Sequence, residues 1–137
     1  MISGRRKFRT RAAVAVALSV LKLAVMSHPA NAAEDVVGGK IIYQTQCSLC
    51  HSLDGKRIGP QHRNVVRRAV ARVAGYDYSP ALKKLGGTWT PSRLDEWLSG
   101  TQKMAPGNKM FFEVDDPVQR RMIVAYLQSV SVPSATE

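Results

Sequence analysis

Cys47-Ser48-Leu49-Cys50-His51 matches the pattern C-x-x-C-H and is the strongest chemical signal in this chain. Two cysteines separated by two residues lie about one helical turn apart, so both thiols can reach the same edge of a flat ligand. The histidine that follows can then present an imidazole nitrogen to a metal at the centre of that ligand. This spacing is typical of covalent attachment of a c-type haem, with His51 as an axial ligand of the iron.

Three other interpretations of the two cysteines are open. A redox dithiol of the thioredoxin kind needs a C-x-x-C beside a βαβ pattern, and the sequence shows none. A structural zinc site normally takes four ligands, whereas outside this motif the chain offers only His28 and His62. A local disulfide between Cys47 and Cys50 is possible in an oxidising compartment. Haem attachment is the interpretation that the pattern favours.

The first 32 residues have the three parts of a secretory signal peptide. Residues 5–11 are rich in arginine, and residues 12–26 form an apolar run that is short for a membrane span. Ala30-Asn31-Ala32 offers small residues at the positions that a signal peptidase reads. We expect cleavage after Ala32, a mature domain over residues 33–137, and a periplasmic location. An uncleaved anchor and an organellar transit peptide are the alternatives.

The charge balance argues against a nucleic-acid partner once the signal segment is set aside. The chain has 20 Lys and Arg residues against 10 Asp and Glu, but six of the basic residues lie within residues 1–32. The remaining 14 against 10 is a modest excess that could still steer docking onto an acidic protein. About 105 residues form one small domain, and we expect a monomer with no stable membrane span.

Apolar periodicity predicts three helices. The first runs over about residues 35–45 and leads into the haem motif, with Val37, Ile41 and Ile42 on one side. Gly38 and Gly39 are poor helix residues, so their presence there requires a reason in the packing.

The second and third helices begin with a capping residue followed by proline. Thr90-Pro91 begins the second, which ends near Gly100, and Asp116-Pro117 begins the third, which ends before Pro133. The predicted buried faces are Leu94, Trp97 and Leu98 in the second helix and Val118, Met122, Ile123, Tyr126, Leu127 and Val130 in the third.

Residues 54–87 are rich in glycine, proline and basic residues, without the sustained alternation that indicates strands. A short helical turn is predicted at residues 67–73. The predicted fold class is therefore all-α, with three main helices and long loops that a bound prosthetic group would organise.

Seven segments of the chain follow one another in an order known from one protein family. They are residues 39–51, 58–60, 75–78, 87–89, 94–98, 104–111 and 121–127. In these segments the chain resembles the small soluble monohaem cytochromes c, the class I electron carriers with His/Met-ligated iron. The resemblance covers nearly all of the expected mature domain. It implies a cytochrome c-like fold around one covalent haem c.

The resemblance assigns roles to the residues of the haem motif and its surroundings. Cys47 and Cys50 would hold the haem by thioethers, and His51 would be the proximal iron ligand. The carbonyl of Pro60 would accept the imidazole N–H. Arg68 would lie near the haem propionates, and a guanidinium suits a buried carboxylate.

Two more donors, Tyr78 and Trp89, would also lie near the propionates by the same resemblance. Met110 would be the distal iron ligand, and it is preferred to Met104 because the family's methionine follows directly after the position of Lys109. These assignments add polar contacts that the motif alone does not provide.

Several residues depart from the family pattern. Trp97 lies where many members have a tyrosine whose hydroxyl approaches the methionine sulfur, and we expect the indole to fill that space. His62 replaces an apolar residue and is expected to be a partly exposed polar residue, with iron ligation as an alternative if the methionine is displaced. Asn64 and Arg67 occupy positions where glycine is common, and asparagine tolerates a left-handed backbone. Gly39 would lie beneath Tyr126 and let the first and last helices cross closely.

An iron with both axial positions filled has no open site for substrate, so the resemblance implies an electron-transfer protein rather than an enzyme. We expect a quinol-oxidising complex or a dehydrogenase as the electron donor and an oxidase or reductase of a respiratory chain as the acceptor. Lys56, Arg57, Lys103 and Lys109 could surround the exposed haem edge with positive charge. A dedicated electron-accepting subunit of a periplasmic dehydrogenase, and a haem enzyme or gas sensor with a labile Met110, are the alternatives.

Overall fold

The computed structural model describes residues 29–131, with side chains from residue 31 onward. Over this range the chain is helical and forms no β-strand, only an isolated antiparallel bridge between Ala69 and Thr88. The predicted all-α class is confirmed. Most of the expected signal segment lies outside the described residues. Within them, no helix has both the length and the apolar character needed to cross a membrane.

Five α-helices and one π-helical turn make up the described part of the chain. They are α1 (Pro29–Ile42), the π-helical turn (Tyr43–Cys47), α2 (Pro80–Leu85), α3 (Pro91–Ser99), α4 (Thr101–Met104) and α5 (Pro117–Ser129). The three predicted helices correspond to α1, α3 and α5. Helix α1 begins earlier than predicted because Pro29 is suited to a first helical position and the alanines after it are strong helix formers.

Helices α3 and α5, which were predicted from a capping residue followed by proline, begin as predicted. Thr90 Oγ1 accepts the backbone N–H of Arg93 at 3.1 Å in α3, and Asp116 Oδ1 accepts the N–H of Val118 at 2.8 Å in α5. Helix α2 was missed, although Ser79 before Pro80 is the same signal and its hydroxyl caps the helix in the same way.

Helices α1 and α5 cross in close contact. Gly39 is buried against α5, where a Cβ would overlap the Met122 carbonyl and lie 3.0 Å from Cβ of Tyr126. Asp35 and Arg121 form a two-point ion pair beside the crossing, at 2.9 and 3.1 Å. The predicted close approach at Gly39 is therefore confirmed.

The apolar residues that the sequence places on one side of the first and third helices are not all buried. Val37 and Ile41 are 62% and 58% exposed, because the side of α1 that meets α5 is centred on Gly39 instead. Val118 is 42% exposed in the first turn of α5, whereas Ile123 and Leu127 farther along that helix are buried. The core is built from Tyr43, Val65, Val66, Val70, Trp89, Leu94, Trp97, Leu98, Ala105, Val114, Ile123, Val124, Tyr126 and Leu127.

Residues 67–73 do not form the predicted helical turn. Arg67 and Ala71 have φ angles of 71° and 56°, which a right-handed helix excludes. The segment instead runs antiparallel to residues 87–89, with the Arg67 N–H donating to the Trp89 carbonyl at 2.7 Å and the Trp89 N–H donating to the Arg68 carbonyl at 2.9 Å. This pairing places the side chains of Arg68 and Trp89 at one cavity.

Candidate cofactor site

One cavity of about 410 Å³ lies between the haem motif, α3, α5 and the loop after α4. Its size and mostly apolar lining are those of a site for a cofactor or another small molecule. All nine residues singled out from the sequence line it, namely Cys47, Cys50, His51, Pro60, Arg68, Tyr78, Trp89, Trp97 and Met110. The fold therefore brings together the residues that the motif and the family resemblance indicate.

The C-x-x-C-H motif follows the π-helical turn at the end of α1. The N–H of His51 donates to the carbonyl of Cys47 at 2.9 Å, so the motif forms one helical turn that brings Cys47, Cys50 and His51 to the cavity. Cys47 and Cys50 form no disulfide with each other, and burial raises the pKa of the Cys47 thiol to about 11. Among residues 29–131 there is no cluster of three or more His, Cys, Asp or Glu residues that could hold a metal ion without further ligands.

His51 is held in one orientation by its neighbours. Its Nδ1 lies 2.8 Å from the carbonyl oxygen of Pro60, which makes Nδ1 the protonated nitrogen and leaves Nε2 available as a ligand. A Cβ on residue 59 would overlap the ring, so Gly59 is needed for this close approach. Burial lowers the pKa of His51, opposed by the hydrogen bond to Pro60.

The loop that carries Met110 is held by polar side chains that the sequence analysis did not single out. Asn108 is 2% exposed, and its Oδ1 accepts the Met110 N–H at 2.7 Å. Thr101, which is fully buried, donates its hydroxyl to the Met110 carbonyl at 2.7 Å. Met110 lines the cavity, whereas Met104 does not. The only sequence signal for these anchors was the presence of amide and hydroxyl side chains close to the methionine.

Arg68 lies on the polar side of the cavity. Its guanidinium donates to the backbone carbonyls of Gln61 and Arg63 at 2.7 and 3.1 Å, and burial lowers its pKa. No ion pair between described residues includes Arg68, so this half-buried cation lacks a carboxylate partner within the described chain. A ligand with an acidic edge would meet that requirement.

The aromatic residues form the deeper wall of the cavity. Trp89 and Trp97 are both buried, with ring centroids 5.5 Å apart and planes at 59°. Tyr78 is also buried, and its hydroxyl accepts the N–H of Val73 at 3.3 Å. Trp97 thus lines the cavity, and its filling of the space beside the methionine sulfur stays a prediction. Whether these donors contact propionates stays a prediction.

His62 lies face to face with His51, at a centroid distance of 4.0 Å and an interplanar angle of 21°. It is half-buried, close to the predicted partial exposure, but its ring faces the cavity. Burial lowers the pKa of His62 well below its usual range, and the positive charge of Arg68 acts in the same direction. Because the two imidazoles are stacked, His62 lies beside His51 rather than opposite it.

The mouth of the cavity combines exposed apolar and basic residues. Ile58 and Phe111 are 76% and 81% exposed there. Lys109 also lines the cavity, but its charge is partly offset because Nζ lies 2.8 Å from a carboxylate oxygen of Asp77. The Lys56 ammonium donates to the Gly75 carbonyl at 3.0 Å. Of the four residues predicted to form a basic rim, namely Lys56, Arg57, Lys103 and Lys109, only Lys109 lines the cavity. The basic rim is therefore less positive at the cavity mouth than the sequence suggests.

The chain is similar in sequence to known proteins of one family. A family model described as cytochrome c matches residues 36–131. The chain is 39% identical over 99 residues to cytochrome c2 of Rhodopila globiformis, an alignment that covers 70% of this chain and 93% of that protein. It is 38% identical over 104 residues to cytochrome c-type cyt cy of Rhodobacter capsulatus, covering 74% of this chain but only 52% of that longer protein.

Structural comparison gives the same result. Cytochrome cH from Methylobacterium extorquens superposes with a TM-score of 0.66 and 35% sequence identity. The match covers 69% of this chain and 98% of that structure.

Proposed function

Because the chain belongs to the cytochrome c family and is thus an electron carrier with covalently bound haem c rather than an enzyme, we propose that it is a periplasmic one-electron carrier with His51 and Met110 as the axial iron ligands. One observation carries the ligand assignment. His51 and Met110 line a single cavity, and hydrogen bonds hold both residues there.

Attachment would use both thiols of the haem motif. Cys47 and Cys50 lie at the same cavity as His51 on a single helical turn, which is the spacing that two thioether bonds to one ligand edge require. Arg68 offers its unpaired positive charge to the acidic edge of the group. Once bound, haem supplies a one-electron ferric/ferrous couple. The residues present therefore fit this cofactor.

The protein's contribution is to hold both ligands and to exclude water. The Pro60 carbonyl keeps the proximal imidazole in one tautomer, and Asn108 and Thr101 hold the backbone of Met110. Methionine ligation and burial in apolar surroundings both favour the ferrous state, so we expect a higher reduction potential than two imidazoles would give. With His51 and Met110 both bound, the iron would have no position free for a substrate.

The proposal also includes export to the periplasm and docking onto acidic redox partners. The basic, apolar and small-residue parts of residues 1–32 support secretion with cleavage after Ala32. Lys103 and Lys109 flank the methionine loop and support steering by acidic redox partners that donate or accept one electron. Intact-mass analysis of the protein purified from the periplasm should give a chain that begins at Ala33. A chain that retains residues 1–32 would indicate an anchor and contradict this part.

The test of the ligand set is an optical spectrum of the matured protein in both oxidation states, with a pyridine haemochrome. We expect a c-type haemochrome and, in the ferric form, the weak near-infrared band of sulfur-to-iron charge transfer. Met110→Leu should abolish that band, while Met104→Leu, the matched control, should keep it. Loss of the band in Met104→Leu alone would reverse the ligand assignment. Tight carbon monoxide binding to the reduced wild type would instead support an enzyme or sensor.

A further inference from the structure

The ring of His62 is placed by the backbone rather than by hydrogen bonds of its own. The N–H of His62 donates to the Ser52 carbonyl at 2.9 Å, and the N–H of Arg63 donates to the Leu53 carbonyl at 3.0 Å. The segment after His51 and the segment that contains His62 therefore run side by side. This pairing fixes the distance between the two imidazoles.

Within the described residues, the Nδ1 atom of His62 is buried and has no hydrogen-bond partner. The ring lies between two aromatic neighbours instead: it is stacked on His51 at 4.0 Å and meets Tyr43 edge-on at 5.7 Å. A buried imidazole nitrogen without a hydrogen bond costs free energy, and a leucine would fill the same place without that cost. The stack on His51 is the interaction that a leucine could not provide.

We propose that His62 is a positioning residue for the proximal ligand: its ring fixes the plane of the His51 imidazole and stabilises the ferric state of the iron. The inference rests on the proposed ligation of iron by His51. A ligating imidazole carries more positive charge when the iron is ferric. The face of a neutral aromatic ring is negative and attracts positive charge, so the stack favours the ferric form over the ferrous form. His62 therefore lowers the reduction potential relative to an aliphatic residue.

The main test compares two substitutions of one residue in the haem-loaded protein. His62→Leu removes the aromatic face, and His62→Phe keeps a face but no ring nitrogen. Potentiometric titration should show that His62→Leu shifts the one-electron equilibrium toward the ferrous form about threefold, which is about 28 mV at 59 mV per tenfold. His62→Phe should stay close to wild type. Gln61→Leu is the control, because it replaces a neighbouring polar side chain that does not line the cavity.

The orientation of the His51 ring is read separately, from the spread of the haem methyl resonances in the ferric protein by NMR. His62→Leu should change that spread and His62→Phe should preserve it. Equal potentials and spreads in His62→Leu and wild type would overturn the inference, as would equal changes in both variants. A structural role alone would lower stability without separating Leu from Phe.

A third measurement needs no variant and applies if neither variant matures. In the reduced wild-type holoprotein, nuclear Overhauser contacts should connect the His62 ring protons with those of His51, and their absence would overturn the inference. The wild-type spectrum separates this result from the proposed function. If the wild type shows the ferric near-infrared band but the His62 variants keep its reduction potential and its spread of methyl resonances, only the role of His62 is refuted. The absence of covalent haem refutes both.

Discussion

Arg67 holds a backbone conformation that costs free energy for any residue with a Cβ. Its φ is 71°, and an L-residue reaches this left-handed region at a cost of about 1–2 kcal/mol. Glycine adopts this conformation without the steric cost. Glycine also raises the conformational entropy of the unfolded chain, which cancels part of the gain in stability. We expect Arg67→Gly to raise the free energy of unfolding by about 1 kcal/mol, measured by denaturant titration of the ferric holoprotein.

The control for this substitution is Arg72→Gly. Arg72 is also exposed, but its φ lies outside the left-handed region. That variant should lose up to about 1 kcal/mol, because glycine then adds only unfolded-state entropy. Equal changes in the two variants would show that the conformation of residue 67 carries no strain.

Asn108 is the second residue whose removal should have a large effect. Its side chain donates to the carbonyls of Thr101 and Ala105 at 2.8 and 2.9 Å and accepts the N–H of Met110 at 2.7 Å, all in a buried position. Asn108→Ala removes the acceptor of the Met110 N–H, at about 1–3 kcal/mol for a buried unsatisfied group. The carbonyls of Thr101 and Ala105 lose one hydrogen bond each but still accept the backbone N–H groups of Ala105 and Asn108. We expect the ferric near-infrared band to disappear at a lower denaturant concentration than in wild type.

Ser99→Ala is the comparison for Asn108→Ala, since it removes an exposed hydroxyl that donates to the Glu96 carbonyl at 2.8 Å. It should change the free energy of unfolding by no more than about 0.5 kcal/mol. If the band of Asn108→Ala persists up to the wild-type midpoint, the methionine loop does not depend on this asparagine.

Residue types predicted some of this local structure and not the rest. An asparagine at position 64 suggested a left-handed backbone, and φ there is 58°. Nothing in the type of Arg67 suggests such a conformation, and only the family resemblance pointed to it. The stack of His62 on His51 depends on backbone pairing between segments ten residues apart, which one-dimensional patterns do not encode.

At the level of elements, the crossing of α1 and α5 depends on one glycine more than on its neighbour. A Cβ at Gly39 would overlap backbone atoms of Met122, so the helices must separate. A Cβ at Gly38 would meet only the flexible end of the Met122 side chain, at 3.0 Å from the sulfur. We expect Gly39→Ala to lower the free energy of unfolding by about 1–3 kcal/mol, as overpacked cores do.

Gly38→Ala is the matched variant, since it gains up to about 1 kcal/mol of helix propensity with little steric cost. It should be as stable as wild type or more stable, by thermal and denaturant unfolding of the holoprotein. A smaller loss in Gly39→Ala than in Gly38→Ala would contradict the close crossing.

Local sequence signals predicted where helices begin, but they failed where tertiary contacts determine the backbone conformation. The capping residue and proline at Thr90 and Asp116 were sufficient for α3 and α5. The same signal at Ser79 was overlooked because a short helix of six residues shows too little periodicity. Residues 67–73 were assigned wrongly because their pairing with residues 87–89 outweighs any local helical preference.

At the scale of the whole molecule, the cavity joins parts of the chain that are far apart in sequence. Its walls come from the haem motif, the segment around Arg68, helices α3 and α5 and the methionine loop. The motif and the family resemblance were enough to predict which residues meet there. They could not predict the polar anchors of Met110, because each of those contacts depends on how α4 and the following loop pack.

Asp77 reduces the positive charge near the cavity mouth. Asp77 lies 2.8 Å from the ammonium of Lys109 and 3.6 Å from that of Lys83, so it offsets positive charge at the surface where an acidic partner would dock. Asp77→Asn removes this negative charge and should raise the rate of electron transfer to an acidic redox protein, by about twofold at low salt. The difference should shrink as ionic strength rises, because screening acts over about 10 Å at 0.1 M.

Asp115→Asn makes the same change of charge at an exposed residue that, unlike Asp77, forms no ion pair with Lys109. Stopped-flow rates over a range of salt concentrations would compare both variants with wild type. If both raise the rate equally, net charge alone steers the partner. If the rate of each protein is independent of salt, docking does not use the basic rim. A larger increase in rate for Asp77→Asn than for Asp115→Asn is the expected result, because Asp77 is the carboxylate paired with Lys109. It would mean that Asp77 weakens the attraction between the cavity mouth and an acidic partner.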